Sequence, residues 1–80
     1  MDNQARQEKI SEIIRAISKR DAALDPDESL FDSGLLDSFA LPDVVSALEK
    51  TFSIKIPDSD LNPRKFDSIA RIESYIEGRL

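Results

Sequence analysis

The stretch Leu30-Phe31-Asp32-Ser33-Gly34-Leu35-Leu36-Asp37-Ser38-Phe39 passes from loop chemistry into an apolar helical pattern, and the organisation of the chain reads outward from it. Beyond it, Leu41, Val44, Val45, Leu48 and Phe52 recur at helical spacing. That predicts a helix from about Ser38 to Thr51, with this stripe buried and Asp43, Ser46 and Lys50 on the opposite face. Asp37 and Ser38 stand where the amides of a first helical turn lack partners, so either side chain can cap the helix. With either as the cap, Pro42 falls one or two positions too late to be free. One hydrogen bond is then lost, and the first turn should be tightened or slightly distorted.

Before the stretch, Ile10, Ile13, Ile14 and Ile17 fall at i, i+3, i+4 and i+7, on one side of a helix running from Gln4 to Arg20. Asp25-Pro26-Asp27-Glu28 breaks that pattern. Residues 21–37 therefore form a long loop, and a loop of that length in a small domain needs tethers. Leu24, Leu30, Phe31, Leu35 and Leu36 can supply them by dipping inward. Gly34 is placed to take a positive φ and aim the chain toward Ser38.

After the second helix, Ile54-Lys55-Ile56 alternates like a strand but is too short and has no second strand to pair with. It reads as a loop with two inward isoleucines. Pro57-Asp58-Ser59-Asp60-Leu61 and Asn62-Pro63 both carry turn or helix-start chemistry, Asn62 as a cap and Pro63 at the first helical position, which predicts a short third helix there. A last helix starts near Asp67 and buries Ile69, Ile72 and Ile76, with Phe66 and Tyr75 at its margins. The fold class is all-α, with four helices, one of them short.

Eighty residues make a single domain, 1–80, with a net stability of only about 5 kcal/mol. Sixteen acidic against eleven basic residues give a net charge of -5, which argues against nucleic acid and anionic membranes as partners. With no cysteine and no histidine, the chain has no thiolate nucleophile of its own. Metal-ligand clusters, nucleophile–base pairs and glycine-rich phosphate loops are likewise missing from the sequence, so an enzyme is not expected. No apolar run reaches membrane-span length, and the polar start is unlike a signal peptide. The expectation is a cytoplasmic, soluble monomer.

An Asp-Ser pair before an apolar helix is, in isolation, an ordinary capped helix start. Here its surroundings resemble the phosphopantetheine attachment motif of acyl carrier proteins, whose usual core is Gly, two variable residues, Asp, Ser, Leu. Gly34, Asp37 and Ser38 match that core, and Phe39 replaces the leucine. The resemblance continues through residues 44–52, Ile54-Lys55-Ile56-Pro57 and Phe66-Asp67-Ser68-Ile69-Ala70. It implies an antiparallel four-helix bundle, with Ser38 modified by a phosphopantetheinyl transferase that draws on coenzyme A. The cofactor, 4'-phosphopantetheine, would bring the thiol this chain lacks, and acyl-loading and acyl-transfer enzymes would be the other partners.

Asp37 is then a helix cap, a transferase recognition residue, or both. Phe39 is an exposed anchor for partners or packing that folds back. Asp43 and Glu49 match acidic positions that family members commonly use to meet basic partners, although charges on helix faces are often merely solvated. Pro42 and Ser46 complete the candidate partner face. Ala40 and Lys50 stand where fatty-acid synthase carriers usually have acidic residues, and Pro42 where an aliphatic is common. These departures point to a specialised acyl or lipid-related pathway. Leu35-Leu36-Asp37-Ser38 also resembles carriers for D-alanine, which keeps an aminoacyl or peptidyl carrier as the alternative. An unmodified helical interaction module, with Ser38 only a cap, is the reading of another class.

Overall fold

A computed structural model describes residues 3–19 and 24–80, apart from the side chains of Asn3 and Ser38. Those residues are all-helical: α1 (Asn3–Ser18), α2 (Leu41–Phe52) and α3 (Ile69–Arg79), with 3-10 turns at Ser38–Ala40 and Asp58–Asp60. α1 packs against both α2 and α3. Ile10 and Ile14 of α1, Val44 and Leu48 of α2, and Ile69, Ile72 and Ile76 of α3 meet in one buried cluster. Each is an apolar residue at helical spacing, so burying one stripe per helix assembles the core.

α1 ends two residues before the expected Arg20. Lys19 takes φ 60°, the left-handed conformation that commonly closes a helix. The expected extension to Arg20 and the first residues of the loop, 21–23, lie outside the described residues.

Pro42 shapes the start of α2. The α-helix begins only at Leu41, which puts Pro42 in its first turn, where an amide would have no helical partner anyway. Ser38–Ala40 precede it as a 3-10 turn. The tightened first turn is there, and by delaying the α-helix the chain avoids the lost hydrogen bond. At the other end of α2, Ser53 is left-handed at φ 55° and Ile54 N donates to Glu49 O at 3.2 Å. Ile56 is buried and Ile54 half-buried, in a loop and not a strand.

Of the two stretches expected to turn or to start a short helix, Pro57-Asp58-Ser59-Asp60-Leu61 holds the 3-10 turn at Asp58–Asp60, whereas the helix expected from Asn62 and Pro63 does not form. Asn62 Oδ1 does accept from Arg64 N at 2.9 Å, but the chain then makes only turns, with Lys65 N on Asn62 O and Phe66 N on Pro63 O. Phe66 explains the early stop. Its side chain is fully buried, not marginal as expected, and drawing it into the core redirects the backbone before a second helical turn can add. α3 starts two residues after the expected Asp67, capped by Ser68 Oγ, which accepts from Arg71 N at 3.1 Å.

Two polar features fasten α3. Arg6 Nε donates to Glu73 Oε2 at 2.8 Å, both residues buried, which ties α1 to α3. Half-buried Tyr75 donates its hydroxyl to Asp60 Oδ2 at 2.6 Å, and Lys65 Nζ reaches Asp60 Oδ1 at 2.9 Å. The Tyr75 and Lys65 hydrogen bonds hold Asp60 below its ordinary carboxylate range. Burial, reinforced by the Asp60 contact, pushes the Tyr75 hydroxyl from about 10 up to about 12. A raised pKa in the folded chain means stability that is complete below pH 10 and is lost as pH climbs toward 12. Because Tyr75 is the single tyrosine, its phenolate absorbance can be followed alone in a pH titration. Ionisation and unfolding should move together, and a midpoint near 10 would show that burial and the Asp60 contact together leave the hydroxyl at its ordinary value.

Candidate functional site

The loop ahead of α2 is fastened at several points. Leu30 and Leu36 are buried, and Leu24, Phe31 and Leu35 are half-buried against the core, as the sequence predicts for tethers. Polar bonds supply direction. Asp67 Oδ1 accepts from Ser29 Oγ at 2.7 Å and from Phe31 N at 3.3 Å, while the backbone carbonyl of Asp67 accepts from Leu30 N. Ala70 N, an otherwise unpaired first-turn amide of α3, donates to Pro26 O at 2.9 Å. Leu36 N donates to Leu30 O at 3.0 Å, which closes the loop into a ring just before Asp37.

Gly34 lies in that ring at φ +83°, as expected, with nothing within 4 Å of where a Cβ would be. The requirement for glycine is therefore conformational and not steric. Gly34→Ala should cost about 1 kcal/mol through the left-handed backbone alone. A denaturant midpoint unchanged by the substitution would contradict this.

Past the ring the chain turns outward. Asp37 is exposed and extended (φ -106°, ψ 171°), and its Oδ1 accepts from Ala40 N at 3.0 Å. Its capping role is thus direct. Ser38 opens the 3-10 turn. Phe39 is 88% exposed, so its ring does not fold back onto the core. Pro42, Asp43 and Ser46 are exposed too, and with Phe39 they follow helical spacing along one side of the α2 start.

Glu49 is different. It is half-buried, and its Oε2 accepts from Ile56 N at 2.8 Å, which fastens the loop after α2. One oxygen of the carboxylate expected on the partner face is thus engaged within the fold. The charged residues exposed on α2 are Asp43 near the start and Lys50 near the end, a face with little net charge.

Sequence reading did not single out Asp67 as a residue of this site. It contacts Ser29 from 38 residues away, and no local pattern announces such a pairing. Among the described residues there is no group of three or more His, Cys, Asp or Glu placed to hold a metal ion.

The sequence around this site, where Ser38 lies between exposed Asp37 and Phe39 at the head of a helix, matches a known family. The family model for the phosphopantetheine attachment site covers residues 8–76. The chain belongs to that family. Its relatives include the D-alanyl carrier proteins of Streptococcus pyogenes serotype M5 (strain Manfredo) and serotype M49 (strain NZ131). Each is 31% identical over 71 residues, which is 89% of this chain and 90% of the relative.

Membership makes this protein a carrier and not an enzyme, with 4'-phosphopantetheine as its covalently attached cofactor. The residues present fit such a group. A phosphodiester at the head of α2 would meet first-turn amides and the positive end of the helix dipole. The Asp37 carboxylate accepts from the Ala40 amide. The exposed neighbours Asp37 and Phe39 leave the flanks of position 38 open to an approaching enzyme. No helix among the described residues is long and apolar enough to cross a membrane.

Proposed function

We propose that Ser38 is the residue that bears the phosphopantetheine arm, and that the arm carries an aminoacyl thioester, with D-alanine the first candidate. Attachment joins the Ser38 oxygen to the pantetheine-side phosphorus of coenzyme A as the pyrophosphate P–O bond breaks. The hydroxyl gives up its proton, and adenosine 3',5'-bisphosphate leaves. The arm, once bound, supplies the thiol that holds the cargo as an activated thioester. The chain's own residues hold that arm at the head of α2 and leave transfer chemistry to partners.

The observation that supports the aminoacyl reading is the likeness to D-alanyl carrier proteins over 90% of their length. It favours this alternative over the acyl or lipid-related pathway expected first. The weakly charged α2 face also differs from the acidic docking face usual in fatty-acid carriers. On this reading Asp37, Phe39, Pro42, Asp43 and Ser46 form the surface that meets the transferase and the loading enzyme, without Glu49. The single domain would act as a cytoplasmic monomer, its helices antiparallel, with residues 57–66 standing in for the fourth helix.

Intact-protein mass spectrometry of material from the native source tests both parts. The expected mass is the polypeptide plus phosphopantetheine, with a fraction heavier by one alanyl group that hydroxylamine releases. A fatty acyl group in its place would overturn the aminoacyl reading. Absence of any adduct, even after coexpression with broad-specificity transferases, would overturn attachment itself.

A further inference from the structure

We infer that Asp67 is a positioning residue for modification of Ser38: its carboxylate orients the loop ring that presents the serine to the transferase. The inference rests on Ser38 being the attachment site. Asp67 is itself held fast, because Phe66 before it is fully buried and Ser68 after it is buried and caps α3. Its carboxylate is therefore a post anchored in the core that reaches the loop.

Three contacts run from that post. Oδ1 accepts from Ser29 Oγ and from Phe31 N, and the backbone carbonyl accepts from Leu30 N. Ser29 Oγ in turn accepts from Asp32 N at 3.0 Å. From Leu30 the ring closes through Leu36 N to Leu30 O, and the next two residues are Asp37 and Ser38. The path from Asp67 to position 38 thus crosses a few short hydrogen bonds and one seven-residue ring.

Leu30 and Leu36 are buried in the same ring, but apolar contacts are non-directional. They keep the ring on the core without fixing its rotation. Hydrogen bonds to a fixed carboxylate supply the missing direction, since their strength depends on angle as well as distance. A transferase has to align the serine oxygen in line with a phosphorus–oxygen bond, and a displacement of about 1 Å at such a step can cost on the order of a hundredfold in rate.

The test compares three variants as substrates of one phosphopantetheinyl transferase, with coenzyme A, well below their unfolding temperatures. Asp67→Ala removes the acceptor and should lower kcat/KM by about tenfold, with the larger share in kcat. Asp67→Asn keeps an oxygen acceptor and should recover most of the rate. Ser68→Ala loses the α3 cap next door without touching the loop, so it should be destabilised yet modified at the wild-type rate. Equal rates for Asp67→Ala and wild type would overturn the inference. So would a rate lost equally in Ser68→Ala, which would mark the effect as general loosening. If wild-type protein is not modified either, the attachment reading has failed, which is a separate result.

Discussion

Ser38→Ala is expected to abolish phosphopantetheine attachment completely while leaving the helical circular dichroism and the denaturant midpoint close to wild type. The cap that starts the 3-10 turn is the Asp37 carboxylate on Ala40 N, so the fold does not depend on a hydroxyl at position 38 for that bond. Asp37→Ala should behave in the opposite way. It loses a cap worth about 1 kcal/mol but retains a nucleophilic oxygen, so modification should slow without vanishing. Coexpression of each variant with a transferase, read by intact mass, separates the two. A phosphopantetheine adduct on Ser38→Ala would place the arm on another residue and end the present reading of the site.

The second large effect is expected at the buried pair. Glu73→Ala strips the 2.8 Å carboxylate contact from a guanidinium that is only 10% exposed. Breaking a buried pair by removing one partner typically costs about 3–5 kcal/mol. Glu77 Oε2 is 3.7 Å from Arg6 Nη2 and 59% exposed, so it can recover part of that loss. A cost near the lower figure, about 3 kcal/mol, is still more than half of the roughly 5 kcal/mol expected for a domain of this size. The double variant Arg6→Met, Glu73→Leu should return to within about 1 kcal/mol of wild type, because apolar replacement removes both desolvated charges together. Urea unfolding of the three proteins decides the matter. If the double variant were as unstable as Glu73→Ala, the loss would lie in packing and not in the desolvated charge.

These expectations connect stability to function through α3. Its inner face holds α1 through Glu73, and the segment entering it holds the serine loop through Asp67. One short helix is thus the common support for the core and for the loop that delivers Ser38. Glu73→Ala should weaken that support globally, whereas Asp67→Ala should act on the loop itself.

Much of this was legible in the sequence. The isoleucines of α1 and α3 and the Leu41, Val44, Val45, Leu48 stripe of α2 identified the three α-helices, because burial at a period of 3.6 residues is a local property. The inward leucines of the loop, the positive φ of Gly34 and the disturbed turn at Pro42 were legible for the same reason: each follows from the chemistry of one or two residues. Where local rules misled, a distant contact had overruled them. Asn62-Pro63 had the chemistry of a helix start, but burial of Phe66 ended it after one turn. Glu49 had the spacing of a docking residue, but the Ile56 amide claimed its carboxylate.

The sequence by itself therefore determined the helices, the tethered loop and the motif around Ser38, all written in side-chain period and backbone preference over short spans. Only the tertiary structure decided that Asp67 holds the loop, that Glu73 meets Arg6 across 67 residues and that Glu49 accepts from the Ile56 amide. Polar partners far apart in the chain leave no periodic trace, because a hydrogen bond needs only two atoms brought together by the packing of everything else.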